Sequence, residues 1–139
     1  MPEEKKEPDI IRLKIPSDPK YVSTVRVMIE DLARKNGFDQ LKINDLKLAI
    51  NEALANVIEH AYSGLKNKVI FLYIIVHTSL IEVIIKDFGK KLDVKTLRSR
   101  DLDDIKDDGL GVFLIKNMVD QVIYTSQSLG TELKLVKNK

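Results

Sequence analysis

Asn51-Glu-Ala-Leu-Ala-Asn-Val-Ile-Glu-His-Ala-Tyr62 is the stretch on which the reading of the fold turns. It continues an apolar pattern in which Leu46, Ala49, Ile50, Ala53, Leu54, Val57 and Ala61 recur at helical spacing. That spacing predicts a helix with Asn44 as its N-cap, ending near Tyr62 and Gly64. Within it Glu52, Asn56 and His60 fall at successive i, i+4 positions, so they share one face beside the apolar one. An acid and an amide one turn apart can divide chemical labour. The carboxylate accepts a proton, while the amide oxygen is a hard ligand suited to Mg²⁺. Taken alone, the stripe is more simply read as a solvated polar face.

Towards the N-terminus, Ile10-Ile-Arg-Leu-Lys-Ile15 alternates as a strand does, and Pro16 and Pro19 end it. Ser17 or Asp18 is placed to cap a helix from about Tyr21 to Asn36. Val22, Val25, Ile29 and Leu32 mark its apolar side, and Gly37 stops it. Towards the C-terminus, Lys68–His77 and Leu80–Asp87 read as a hairpin around Thr78-Ser79. Lys90 to Asp108 is charged and free of Gly, with five Asp near its end, and reads as a mobile lid. A short helix opens at Gly109 and runs to about Val119, before strands Gln121–Thr125 and Thr131–Val136 that turn at Leu129-Gly130. Strand pairs between helices indicate an α+β fold. The expected form is a two-layer sandwich, its mixed or antiparallel sheet covered on one face by helices. Residues 1–9 form a flexible tail in this reading and residues 10–137 one domain.

Composition agrees with a single globular domain. The 139 residues are 44% hydrophobic and 32% charged, enough to bury a real core. Twenty-three basic and 21 acidic side chains leave a formal charge of +2, which supplies no basic footprint for nucleic acid or for a membrane surface. With no Cys, a disulfide framework, a thiolate metal site and a Cys nucleophile are excluded. The apolar runs are far shorter than the roughly 20 residues that span a bilayer. The polar start lacks the apolar core of a secretory signal, and a cytoplasmic location is expected.

Three further segments carry chemistry only in combination. Lys86-Asp-Phe-Gly89 ends an apolar strand with an acid that can accept a hydrogen bond from an exocyclic amine, and a Gly that leaves backbone room for a flat ligand. On its own it is better explained as a strand-ending turn in which Asp and Gly serve geometry. Asp108-Gly-Leu-Gly-Val-Phe-Leu-Ile115 sets two glycines before a helix, where free amides and the helix dipole can receive phosphate. It is neither a Walker loop nor a Rossmann fingerprint, and a hinge is the plain alternative. Gly130-Thr131 opens the last strand, and by itself signals only a hairpin.

Taken in this order, with a lid between the second and third, the four segments resemble the GHKL ATPase family with its Bergerat nucleotide-binding fold. Glu52-Ala-Leu-Ala-Asn56 resembles its N box, Asp87-Phe-Gly89 its first glycine box and Gly109-Leu-Gly111 its second. Asn56-Val-Ile-Glu-His-Ala-Tyr62, Gly111-Val-Phe-Leu-Ile-Lys-Asn-Met-Val-Asp120 and Gly130-Thr131 are similar to the branch of anti-sigma factor serine kinases. The likeness covers about residues 10–137.

The resemblance implies ATP and Mg²⁺ as cofactors, with Asn56 on the metal and Glu52 as the base for a partner's serine hydroxyl. It implies Asp87 on the adenine amine, Gly89 beside the ring and Thr131 near the adenine end. Backbone amides around Gly109, Leu110, Gly111, Val112 and Phe113 would hold the phosphates, and residues 90–108 would close as the lid. The implied partners are a sigma factor and an anti-sigma-factor antagonist, and a homodimer is admitted. Val22, Val25 and Ile29 are then assigned either to the core or to that dimer. Two positions depart from the pattern: Lys91 stands where a Gly is common, and Lys106-Asp107-Asp108 stand where an Arg precedes the second glycine box. These leave open a nucleotide-binding anti-sigma or regulatory module without phosphotransfer. A histidine kinase's catalytic domain is disfavoured, because no long dimerising helix with a phosphoacceptor His precedes the ATP unit.

Overall fold

Alternating or continuously apolar residues in five segments, and helical spacing in three, assemble here into two layers. The computed structural model describes residues 7–90 and 107–139, and of residues 107–112 the backbone alone. Strand β1 (Asp9–Pro16) leads through a 3₁₀ turn, Pro19–Tyr21, into helix α1 (Val22–Lys35). Helix α2 (Gln40–Asn56) is continued by a π-helical turn, Val57–Ala61. The hairpin β2 (Val69–Val76) and β3 (Leu80–Asp87) follows, then α3 (Asp107–Met118) and the hairpin β4 (Gln121–Ser126) and β5 (Thr131–Asn138). The sheet runs β1-β2-β3-β5-β4 with every pair antiparallel. Of the mixed or antiparallel sheet expected, the antiparallel one is found.

The registers put Leu13, Leu72, Ile85 and Leu133 on one row and Ile11, Ile74, Val83 and Leu135 on the next, all on the same face. The helices cover this face, α1 and α3 each packing on α2. Ile29, Ile43, Leu46, Ile50 and Leu54 from the helices meet Leu72, Ile74, Ile81 and Ile85 from the sheet, all of them fully buried. Val22, Val25 and Ile29 belong to this core. The residues matched by the tail, Met1 to Lys6, and most of the lid, residues 91–106, lie outside the described residues. Among the described residues no helix is long and apolar enough to cross a membrane.

Three boundaries differ from expectation. Helix α2 starts four residues before Asn44, because Asp39 is extended (φ −76°, ψ 160°) and its carboxylate accepts the Lys42 N–H. Asn44 sits one turn inside, its side chain accepting from Gln40. Ser17 does not cap α1: it is buried, its N–H donating to the Lys68 carbonyl at 2.8 Å and its hydroxyl to the Leu65 carbonyl. Asp18 caps the 3₁₀ turn instead. Helix α3 begins at Asp107, so Gly109 and Gly111 fall inside it and do not precede it. Its other end is held by the buried Lys137, whose ammonium donates to the Met118 carbonyl at 2.8 Å and lies 3.7 Å from Asp45. A cation there suits the negative end of the helix dipole.

The cap assignment is testable. Asp39→Ala should lower unfolding free energy by about 1 kcal/mol, while Asn44→Ala should stay within about 0.5 kcal/mol, both read from urea titrations.

Candidate functional site

The β3–β5 register places Asp87 opposite Thr131, with β4's Ser126 flanking Thr131 on its other side. Both Asp87 and Thr131 point to the helix-covered face and are 2% and 3% exposed. The end of α2 faces them. Ala53, Asn56, Val57 and Ala61 from the helix, with Asp87, Tyr124, Thr131 and Leu133 from the sheet, line a narrow cleft with a free volume of about 10 Å³.

The π turn decides which helix residues reach this cleft. The Tyr62 N–H donates to the Val57 carbonyl, five residues back, at 3.0 Å. Five residues per hydrogen-bonded step, where an α-helix uses four, rotate the following side chains by one position. Ala61 therefore takes the place beside Asn56 that helical periodicity assigns to His60. The expected Glu52–Asn56–His60 stripe ends at Asn56, and His60 turns towards Glu59, 3.9 Å away.

The strand exit is pinned to that turn by backbone. After Asp87 three successive amides find partners outside the sheet. Phe88 donates to the Tyr62 hydroxyl at 2.9 Å, Gly89 to the Asp87 carboxylate at 3.0 Å and Lys90 to the Ala61 carbonyl at 2.8 Å. A Cβ on Gly89 would lie 2.2 Å from the Ala61 oxygen, so the room that Gly89 provides is taken by the π turn. Gly130 has φ +80°, and a Cβ there would lie 1.9 Å from the Asp87 carbonyl oxygen. Sequence reading gave Gly130 a turn only. Its second duty, letting the β4–β5 turn lie on the Asp87 backbone, has no local signal.

Burial sets the electrostatics. It raises the Asp87 carboxyl above its ordinary 3.8, against the opposing pull of the Gly89 and Thr131 amides that donate to it. The Tyr124 hydroxyl is pushed up to about 12 by burial. The Thr131 hydroxyl is buried with no hydrogen-bond partner, alone in this among the described residues. Buried polar groups are nearly always paired, so this vacancy beside a buried carboxylate suits a flat ligand edge carrying both donor and acceptor.

Other expected site residues fall around the cleft. Glu52 is half-buried one turn before Asn56, and neither side chain has a hydrogen-bond partner among the described residues. Phe113 is exposed on α3. Gly109, Leu110, Gly111 and Val112 lie in the first turns of α3, which packs on the helix carrying Asn56. The first four amides of a helix lack intrahelical acceptors, and here they are Asp107 to Leu110. Of the expected set Gly109, Leu110, Gly111, Val112 and Phe113, Gly109 and Leu110 are among these free amides. Lys91 and Lys106 lie outside the described residues. Among the described residues no His, Asp and Glu cluster could hold a metal unaided. A Mg²⁺ ion would rest on the Asn56 oxygen, water and a ligand's phosphates, as that ion commonly does.

Comparison with known proteins follows the same lines. Residues 15–137 match the family described as histidine kinase-like ATPase domain. The serine-protein kinase RsbW of Bacillus subtilis is 31% identical over 137 residues, covering 93% of this chain and 85% of its own. RsbW of Listeria monocytogenes is 32% identical over 122 residues, covering 82% and 78%. The RsbU and RsbW domains of Rv1364c from Mycobacterium tuberculosis share the fold, with a TM-score of 0.69 at 17% identity over 93% of this chain and 32% of that one. So does the histidine kinase domain of the Erythrobacter litoralis EL346 blue-light activated histidine kinase, with a TM-score of 0.56 at 17% identity over 96% and 64%.

Two substitutions test the cleft without ligand. Gly130→Ala should destabilise by about 2–4 kcal/mol, because strain at positive φ adds to the backbone clash. Thr131→Val, which removes the unpaired hydroxyl at constant shape, should leave stability unchanged or raise it by about 1 kcal/mol. Denaturant unfolding of both variants reads the two signs.

Proposed function

The chain belongs to the histidine kinase-like ATPase family, alongside the serine-protein kinases RsbW, and on that premise we propose that it is an ATP-dependent serine/threonine kinase acting as an anti-sigma factor. In this reading it binds a sigma factor and phosphorylates a serine of an anti-sigma-factor antagonist. One observation carries the nucleotide part: a buried carboxylate and an unpaired buried hydroxyl stand side by side in a cleft closed by the helix of Asn56.

Asp87 accepts a hydrogen bond from the adenine amine, and Thr131 completes recognition of that edge. Asn56 holds Mg²⁺, which when bound neutralises phosphate charge. Glu52, one turn away on the same helix, takes the proton of the acceptor serine as its oxygen bonds to the γ-phosphorus. The bond from that phosphorus to the β–γ bridging oxygen breaks, and ADP leaves with the electron pair. Such transfer asks chiefly for positioning and charge neutralisation. A second reading, nucleotide binding and sequestration without transfer, is favoured by the absence of an Arg in Lys106-Asp107-Asp108.

Incubation with Mg·ATP and the antagonist, followed by mass spectrometry for phosphoserine, separates the two. The kinase reading expects phosphoserine from the wild type and none from Glu52→Ala, with nucleotide binding kept in both. A saturable site should add about 2.7 kcal/mol of stability at a hundredfold excess of Mg·ATP over Kd. Nucleotide binding by a wild type that yields no phosphoserine would select the second reading.

The raised Asp87 carboxyl gives a pH signature of known sign. Protonation removes the charge that strengthens the acceptor, so ATP affinity should fall as pH drops through the folded pKa, which lies above 3.8. Without ligand the linkage runs the other way. Burying the charged form costs stability in full above the folded pKa and nothing below 3.8. Calorimetric titrations in an acid series, set against denaturant unfolding at the same pH values, check both slopes.

A further inference from the structure

The β2–β3 ladder is regular from Val76↔Ile81 to Phe71↔Lys86. Continued in the same register, it would bring Val69 opposite Phe88. Those two groups do not meet. The Tyr62 hydroxyl stands between them, accepting from the Phe88 N–H at 2.9 Å and donating to the Val69 carbonyl. The Tyr62 ring is 6% exposed, and its edge is the third-nearest atom to where a Gly89 Cβ would stand, at 2.9 Å. A single hydroxyl thus replaces one direct rung of the sheet and parts the two strands at this end.

Parting the strands has a defined effect on Asp87. The next two amides become free to turn back, Gly89 onto the Asp87 carboxylate and Lys90 onto the Ala61 carbonyl. Had Phe88 paired directly with Val69, β3 would run on in extended form, and the Gly89 N–H would not reach the carboxylate two residues before it. The same contact shows in the phenol, whose pKa is raised by burial first, lowered by the Phe88 amide and raised again by the Asp87 charge.

We infer that the Tyr62 hydroxyl is a positioning group for nucleobase selection: by holding open the end of the β2–β3 ladder, it aims the Asp87 carboxylate at an exocyclic amine. The inference rests on the reading of the Asp87 cleft as an adenine site. Tyr62 touches neither nucleobase nor phosphate. It acts through the Phe88 backbone on the choice between a base edge that offers an amine and one that offers a carbonyl.

The test is Tyr62→Phe in the full chain, which removes one oxygen. Titration with Mg·ATP should show affinity weakened about tenfold, while binding of Mg·GTP is unchanged, so that the preference for ATP falls by the same factor. In turnover the KM for ATP should rise with kcat within about twofold, since the groups around the phosphates are untouched. Equal losses for both nucleotides, or an unaltered preference, would overturn the inference and leave the adenine site standing. A wild type that does not distinguish ATP from GTP would instead overturn the adenine reading itself. Hydrogen exchange of the wild-type Phe88 amide supplies a check that does not depend on the variant folding. The inference expects it to be protected like the neighbouring β3 amides, and exchange as fast as in exposed turns would refute it.

Discussion

Three stretches of backbone lie on one another more closely than any side chain permits, and the site depends on that stack. The Ala61 carbonyl fills the space beside Gly89, and the Asp87 carbonyl fills the space beside Gly130. The end of α2, the exit from β3 and the entry to β5 thereby meet main chain against main chain. The shift into π geometry makes this possible, since it turns the already unpaired Ala61 carbonyl to where the Lys90 N–H meets it. A helix kept in α form through Tyr62 would put another carbonyl there and turn His60 towards the cleft.

The stack explains why an acid is tolerable where Asp87 sits. Burial of a carboxylate is costly unless hydrogen bonds compensate it. Here its own strand exit and the neighbouring strand each contribute one amide, from Gly89 and from Thr131. The compensation is incomplete, as the upward shift of its pKa shows, and the adjacent Thr131 hydroxyl is left with nothing. A fold optimised only for stability would place a Val or Leu at either position. Local departures of this kind concentrate where a protein must receive something.

Most of the architecture was legible in the sequence because it follows from periodicity. Five β-rich runs, alternating or largely apolar, became the five strands, and Leu80–Asp87 was placed to the residue. Asn56, Asp87 and Thr131 were singled out from three distant segments and share one cleft. What failed did so for physical reasons. Asn44 has the right side chain for a cap, but Asp39 has the extended backbone that a cap needs. His60 follows from ideal α geometry and is lost to the π turn, which the letters Val-Ile-Glu-His-Ala do not announce. Gly89 was assigned to ligand clearance, whereas its neighbour is the protein's own carbonyl. Tyr62 and Tyr124 carry no site signal in the sequence, because only the folded chain reveals which backbone groups and which cleft they reach.

Strand β5 carries Thr131 at one end and Lys137 at the other, six residues apart and hence on the same face. One anchors the cleft and the other the end of α3. A slip of a single residue would turn both outward together and bring Glu132 and Lys134 beneath the helices. Length variation within the Gln127–Gly130 turn, which sets the β4–β5 register, would therefore disturb both anchors at once. Insertions or deletions that survive drift should be nearly absent from that turn.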